Sequence, residues 1–176
     1  MTRKPISIEN FSVRPHHLWN EQWLLLTAGD FSRNRFNTMT VAWGSFGTMW
    51  HKPFAQIVVR PGRYTHQFTE EFGSFTLSGL PEEYRNALKI LGTRSGRDGD
   101  KIAEAGLTPI ASSAVAAPAF DEAELIVQCR MLYRQQMDPG GFLHEDIETN
   151  YPAKDYHTIY YGEIVAVEGT QRFGET

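Results

Sequence analysis

Phe36–Trp50, FNTMTVAWGSFGTMW, intersperses Asn37, Thr38, Thr40, Ser45 and Thr48 among Met39, Trp43, Phe46 and Trp50. Threonine, valine and aromatic residues suit a pleated strand, and Asn37–Phe46 is predicted as one. The same mixture suits a flat heteroaromatic ligand. Short hydroxyls and an amide can read a ring edge, and the aromatics can cover its faces. Ordinary β sequence has this composition too, so the segment alone leaves both readings open.

Outward from that segment, further strands are legible. Trp23–Ala28 is an apolar run that ends at Gly29-Asp30, and residues 1–20 before it look like an extended polar lead-in. FAQIVV, Phe54–Val59, is closed by Arg60-Pro61-Gly62. Arg63–Phe72 is predicted as a helix with Tyr64, Phe68 and Phe72 on one face and Gly73 at its C-terminal cap. Ser74–Leu80 is a strand, after which Pro81, Glu82 and Glu83 open a second helix. Its apolar face is Ala87, Leu88 and Leu91, and Gly92 is read as its end. Asp100 is placed as the cap of a short helix through Ala105. Residues 108–119, rich in Ala, Ser and Pro, read as a surface connection.

In Leu125–Arg134, Leu125, Val127, Cys129, Met131 and Tyr133 alternate with polar side chains, the pattern of a half-buried strand. Residues 138–156 are irregular, and Thr158–Val167 is the last strand. Strands outnumber helices and do not alternate with them regularly. The pattern predicts a mainly antiparallel β barrel with a few connecting helices, in a single domain over residues 1–176.

The bulk numbers exclude several classes. A chain of 176 residues can bury a real core without staples. A net charge of −4 argues against nucleic-acid binding through a basic surface. The chain has no long uncharged apolar run to span a membrane, and the N-terminus has no apolar h-region of a secretory signal. One cysteine, Cys129, excludes an internal disulfide, and these absences together favour the cytosol.

Two further constellations carry chemistry. Arg60-Pro61-Gly62-Arg63-Tyr64-Thr65 sets two arginines and a hydroxyl around a helix start, which suits phosphate recognition or a solvated turn. GTRSGRDGDK, Gly92–Lys101, is a glycine-rich loop with Ser95, Arg97 and Lys101 that could wrap an anion or serve as a flexible connector. It has neither the P-loop order nor an EF-hand's twelfth-position carboxylate, since that position is Pro109. His144-Glu145-Asp146 with Glu148 reads as a solvated acidic loop rather than a metal cluster. Cys129, on the apolar phase of its strand, reads as a buried inert thiol. Neither a G-x-S-x-G elbow nor a strand-borne G-x-G-x-x-G appears.

Taken in order, FNTMTVAWGSFGTMWHKP, RPGRYTHQF, LGTRSGRDGDK, CRMLYRQ and DYHTIYYGEIVAV resemble the flavin reductase-like family with the FMN-binding split barrel, in its flavoredoxin-type branch. The resemblance spans about Trp23 to Val167. It implies a six-stranded Greek-key split barrel and a homodimer with FMN near the subunit interface, FAD being an alternative flavin. It implies Asn37, Thr38, Met39 and Thr40 bordering the isoalloxazine, with Trp43 nearby. Thr65, Ser95 and Lys101 would hold the phosphate, and Arg60 or Arg63 would share its charge. The resemblance further implies Phe173 as a ring contact and His157 as a ligand contact. The implied activity is hydride transfer from NAD(P)H to flavin N5, for which the protein supplies position rather than an acid or base. An FMN electron carrier served by a protein partner, and a barrel binding haem or a deazaflavin, are the alternatives.

Overall fold

The computed structural model describes residues 2–174. In chain order the elements are β1 (Lys4–Ile6), β2 (Leu24–Asp30), β3 (Arg35–Val41), β4 (Gly44–Met49), β5 (Lys52–Val59) and α1 (Tyr64–Glu71). Then come β6 (Ser74–Gly79), α2 (Arg85–Thr93), α3 (Lys101–Glu104), β7 (Pro109–Ile110), β8 (Ala119–Phe120), β9 (Leu125–Gln136) and β10 (Thr158–Gly169). The main sheet has eight strands in the order β3-β2-β6-β9-β10-β5-β4, with β1 added on β10, and its pairings are antiparallel.

The two outermost strands of that path, β3 and β4, are separated in sequence by Ala42 and Trp43 alone. The sheet must therefore curl until its edges meet at this link, which makes a barrel split along one seam. The expected fold class stands. The strand expected over Asn37–Phe46 is two strands, because the chain leaves one edge of the sheet and joins the other. Gly44 permits the crossing: a Cβ there would lie 2.5 Å from both the Gln56 carbonyl oxygen and the Trp19 ring. Trp19 and Leu18 come from the segment read as a polar lead-in, where a π-helical turn, His17–Gln22, buries both. The same lead-in supplies β1.

Both faces of the central strands are covered, which explains their unbroken apolar runs. Leu24, Leu26 and Ala28 point into the barrel with Val127, Cys129, Ile57 and Tyr160. The intervening Leu25 and Ile126 point outward, under Leu88 and Leu91 of α2 and Phe120 of β8. Cys129 is fully buried, and that burial pushes its thiol pKa up, as an inert core thiol requires. α2 begins after a 3-10 turn at Glu82–Tyr84, and Gly92 lies in its last turn rather than beyond it, against Thr40. Asp100 caps α3 as expected, accepting from the Ile102 and Ala103 amides at 3.1 and 3.0 Å. Residues 108–119 are less superficial than their composition suggests, since Ala117 and Ala119 are buried.

Candidate functional site

A cleft of three adjoining cavities follows β3 from the seam. The first, about 190 Å³, opens at the β3–β4 link and is lined by Met39, Thr40, Trp43, Arg60 and His157. The second, about 150 Å³, shares Met39 with it and is lined by Asn37, Arg63, Thr65, Ser95 and Lys101. The third, about 460 Å³, shares Asn37, Tyr64 and Lys101 with the second.

The seam end is aromatic and nearly neutral. Trp43, 48% exposed, sits 5.3 Å from the buried His157 ring. His157 Nδ1 lies 2.9 Å from the Tyr151 hydroxyl. Burial, and next the Arg60 charge, push its pKa down to about 4 against the pull of Asp155, so the imidazole is neutral at pH 7. Arg60 donates to both Asp155 oxygens at 2.8 and 3.0 Å and to the Asn150 carbonyl at 2.8 Å. Its charge is thus matched where it stands. The Thr40 hydroxyl donates to the Leu88 carbonyl at 2.5 Å, tying β3 to α2.

The second cavity is built differently. Arg63 donates to the Gly92 carbonyl at 2.5 Å, and Lys101 Nζ donates to the Leu91 and Arg94 carbonyls, both at 3.2 Å. These are the orphan carbonyls at the negative end of α2, where cations belong. Carbonyls hold a cation in place without cancelling its charge. The lining includes Arg63, Arg94, Arg97 and Lys101 and, among the described residues, no carboxylate. Lys101 is only 5% exposed, and burial followed by the Arg63 charge lowers its pKa to about 8. Two of its three N–H donors are spent on carbonyls.

Asn37 and Thr65 join the halves. Asn37 Nδ2 donates to Thr65 Oγ1 at 2.7 Å, and both are buried. Gly96 lets the loop close down on them: a Cβ there would collide with Asn37 Oδ1 and approach the Tyr64 ring to 3.0 Å.

The expected residues thus divide. Asn37, Met39, Thr40, Trp43, Arg60, Arg63, Thr65, Ser95, Lys101 and His157 line the first two cavities. Thr38 does not: period two turns it away from its neighbours, and its hydroxyl is spent on Thr27 Oγ1 and the Leu26 carbonyl. Phe173 does not either. It is buried in the barrel core and borders a separate cavity with Leu18, Gln22 and Arg172. Of the two arginines proposed to share one charge, Arg63 lines the second cavity and Arg60 the first. Tyr64 was missed, and Arg97, singled out in the glycine-rich loop, was not among the residues assigned to the phosphate. The helical spacing of Tyr64 with Phe68 and Phe72 marked it as core, yet it carries the Arg97 guanidinium 4.8 Å from its ring centroid. No grouping of His, Cys, Asp and Glu among the described residues could hold a metal ion. No helix is long and apolar enough to cross a membrane among them.

Comparison with known proteins agrees with this architecture. An uncharacterized protein of Pyrococcus abyssi is 25% identical over 112 residues, 62% of this chain and 53% of that protein. The chain thus spans about half the length of that curated relative. Flavoredoxin of Desulfovibrio vulgaris superposes with a TM-score of 0.67 at 22% identity, covering 92% of this chain and 75% of its own. An FMN-binding domain of a flavin reductases-like enzyme from Shewanella baltica superposes with a TM-score of 0.68 at 15% identity, covering 96% and 77%. Those likenesses establish the fold. The flavin reductase like domain matches residues 21–175, nearly the whole sequence, and the chain belongs to that family.

Proposed function

We propose that this chain binds FMN along the first two cavities and serves as an NAD(P)H-dependent flavin oxidoreductase. The observation that carries the reading is the second cavity: four cationic side chains, no carboxylate among the described lining, and an aromatic, hydroxyl-bearing cavity adjoining it. A phosphate of nearly two negative charges supplies what the buried Lys101 lacks. Lys101, Arg63, Ser95 and Thr65 would hold the phosphate. Asn37, Met39, Thr40, Trp43 and His157 would border the ring. FMN held there would supply the redox chemistry, with a nicotinamide as the hydride donor. The residues around it orient the ring and exclude water, and neutral His157 brings no charge to that end. The two structural relatives, a flavoredoxin and a flavin reductases-like enzyme, support flavin chemistry of this kind.

A homodimer accompanies the proposal. Trp50 is 55% exposed at a hairpin tip and meets Tyr133 and Tyr161 at 6.1 and 6.3 Å, an aromatic surface suited to a second copy. Light scattering should return about twice the 20.0 kDa chain mass. For the flavin, titration with FMN should quench its fluorescence at one site per chain. NADH or NADPH should then bleach the flavin bands. Binding without bleaching would favour an electron carrier served by a protein partner, and no binding at high micromolar FMN would overturn the reading.

A further inference from the structure

The two ring nitrogens of His157 meet unlike surroundings. Nδ1 lies 2.9 Å from the Tyr151 hydroxyl. Nε2 has no hydrogen-bond partner among the described residues, and it is not one of their sealed, unpartnered buried atoms, which are Arg3 Nε, Trp19 Nε1 and Ser78 Oγ. The two nitrogens diverge across the imidazole, and His157 lines the first cavity whereas Tyr151 does not. Nε2 is therefore the nitrogen open to that cavity, beside Trp43. Where the one proton of the neutral ring sits follows from Tyr151. A phenol carries a single proton. Within its reach are Nδ1 at 2.9 Å and the Met137 thioether at 3.4 Å. A thioether is a weak acceptor and an imidazole nitrogen a good one, so the proton goes to Nδ1. Burial raises the Tyr151 pKa above its ordinary value, so that proton is present to give. Nδ1 thus accepts, and the neutral imidazole must carry its own proton on Nε2.

We infer that Tyr151 is a positioning residue: it holds His157 as the Nε2–H tautomer, so that the first cavity meets the flavin ring with a fixed, uncharged hydrogen-bond donor. The inference deepens the flavin reading above and rests on it for the identity of the acceptor. Tyr151 is itself held still. It is buried, its ring lies nearly parallel to Phe142 with centroids 5.8 Å apart, and it meets Tyr156 at 5.1 Å. The Arg60 guanidinium lies 5.1 Å from its centroid. Its amide donates to the Glu148 carbonyl at 2.8 Å, at the end of the 3-10 turn Glu145–Asn150. Other polar groups of the cavity are already engaged: the Thr40 hydroxyl on Leu88, and Arg60 on Asp155 and Asn150. The edge of an isoalloxazine is rich in acceptors, its carbonyl oxygens and ring nitrogens. A lone pair at Nε2 would repel them, whereas an N–H binds them. Reduction adds electron density to those atoms, so a donor facing them holds the reduced ring more tightly than the oxidised one.

The first arm of the test needs no flavin. Long-range 1H–15N NMR of the full chain at pH 7 should show His157 as a neutral ring with its proton on Nε2. A proton on Nδ1 would overturn the assignment. The second arm measures dissociation constants for oxidised and for reduced FMN. Tyr151→Phe keeps the packed ring and removes the donor, so the imidazole can turn and its proton can sit on either nitrogen. Reduced FMN should weaken about fivefold relative to oxidised FMN, which lowers the two-electron midpoint potential of the bound flavin by about 20 mV. His157→Gln carries an amide N–H to the place of Nε2–H and should keep most of the native ratio. His157→Asn, whose amide reaches only the place of Nδ1, should lose about as much as Tyr151→Phe. A ratio unmoved by Tyr151→Phe, or moved equally by the Gln and Asn variants, would overturn the positioning role and leave Tyr151 as packing alone. No binding of FMN by the native chain would overturn the flavin reading and the ring contact with it. The hold of Tyr151 on the tautomer would then still stand or fall by the NMR arm.

Discussion

The two ends of the cleft solve the same problem, holding side chains still, by unlike means. At the second cavity the fixing groups are backbone carbonyls at the end of α2, seven and ten residues from Lys101 in sequence. At the first cavity they are packing and one ion pair across the fold: Trp43 against His157, and Arg60 on Asp155, 95 residues away. The carbonyls leave charge uncancelled, whereas Asp155 cancels that of Arg60. One end is therefore prepared for an anion and sensitive to charge and pH. The other is prepared for a flat neutral surface and sensitive to shape.

The largest expected effect breaks the charged end. Lys101→Met keeps most of the stem but removes the ammonium. It should weaken FMN by about 1.5–3 kcal/mol, roughly ten- to a hundredfold, and riboflavin hardly at all. Because Lys101 also satisfies two α2 carbonyls, the melting temperature should fall as well. Asn37→Ala should weaken both flavins, since both share the ring. Equal losses of both ligands in Lys101→Met would place the lysine at the ring or in the fold alone.

The shape-sensitive end should answer Trp43→Ala. The side chain is half exposed, so folding stability should change by less than about 0.5 kcal/mol. FMN and riboflavin should each lose about tenfold, the worth of one aromatic stacking contact, near 1.4 kcal/mol. A loss confined to FMN would merge the two ends into one and remove the distinction.

The difference between the ends also decides how much could be read from the chain alone. Local signals survive in a sequence. Asp100 as a cap, the Pro61-Gly62 turn and the glycines of Gly92–Lys101 announce the charged end because the groups that build it are neighbours. The first cavity depends on contacts with no local trace. Nothing in Asn37–Phe46 tells that Ala42-Trp43 joins opposite edges of the sheet, because period two continues on both sides of the link. Thr38 was misread for a related reason: in a strand covered on both faces, a threonine turned toward Thr27 looks the same as one turned toward the cleft. Leu18 and Trp19 were lost in a segment read as polar, and Trp19 packs into the core because Gly44 leaves room for its ring. Arg60 read as a phosphate ligand because its partner lies in the irregular segment 138–156, where no pattern points to it.

Cys129→Ala sharpens the comparison from the barrel side. The thiol is fully buried among Ala28, Phe75 and Val127, facing the core rather than either cavity. Removing it should cost about 1 kcal/mol of stability through lost packing, read as a lowered denaturation midpoint with unchanged slope. Flavin affinities and hydride transfer should be unaltered. Loss of reduction with flavin still bound would show that the thiol is not inert.

The smallest effect needs no mutation and tests the charged end by pH. Burial has brought the Lys101 pKa from 10.5 down to about 8, so the group begins to lose its proton within an accessible range. In the unliganded chain the buried charge opposes folding below the folded pKa. As pH rises from 8 toward 10.5, the folded state sheds a proton that the unfolded chain keeps, and stability should rise from this group. FMN should respond in the opposite sense. Its phosphate stays doubly ionised above about pH 6, and it needs the protonated lysine. Between pH 7 and 8.5 the protonated fraction of the free site falls about fourfold, so FMN affinity should fall by about that factor. Riboflavin carries no phosphate and should stay level over the same interval. Holding ionic strength constant keeps the exposed arginines from mimicking the trend, since their charge does not change there. FMN affinity flat across that interval, or riboflavin falling in parallel with it, would detach Lys101 from the phosphate and leave the cation as a support for α2 alone.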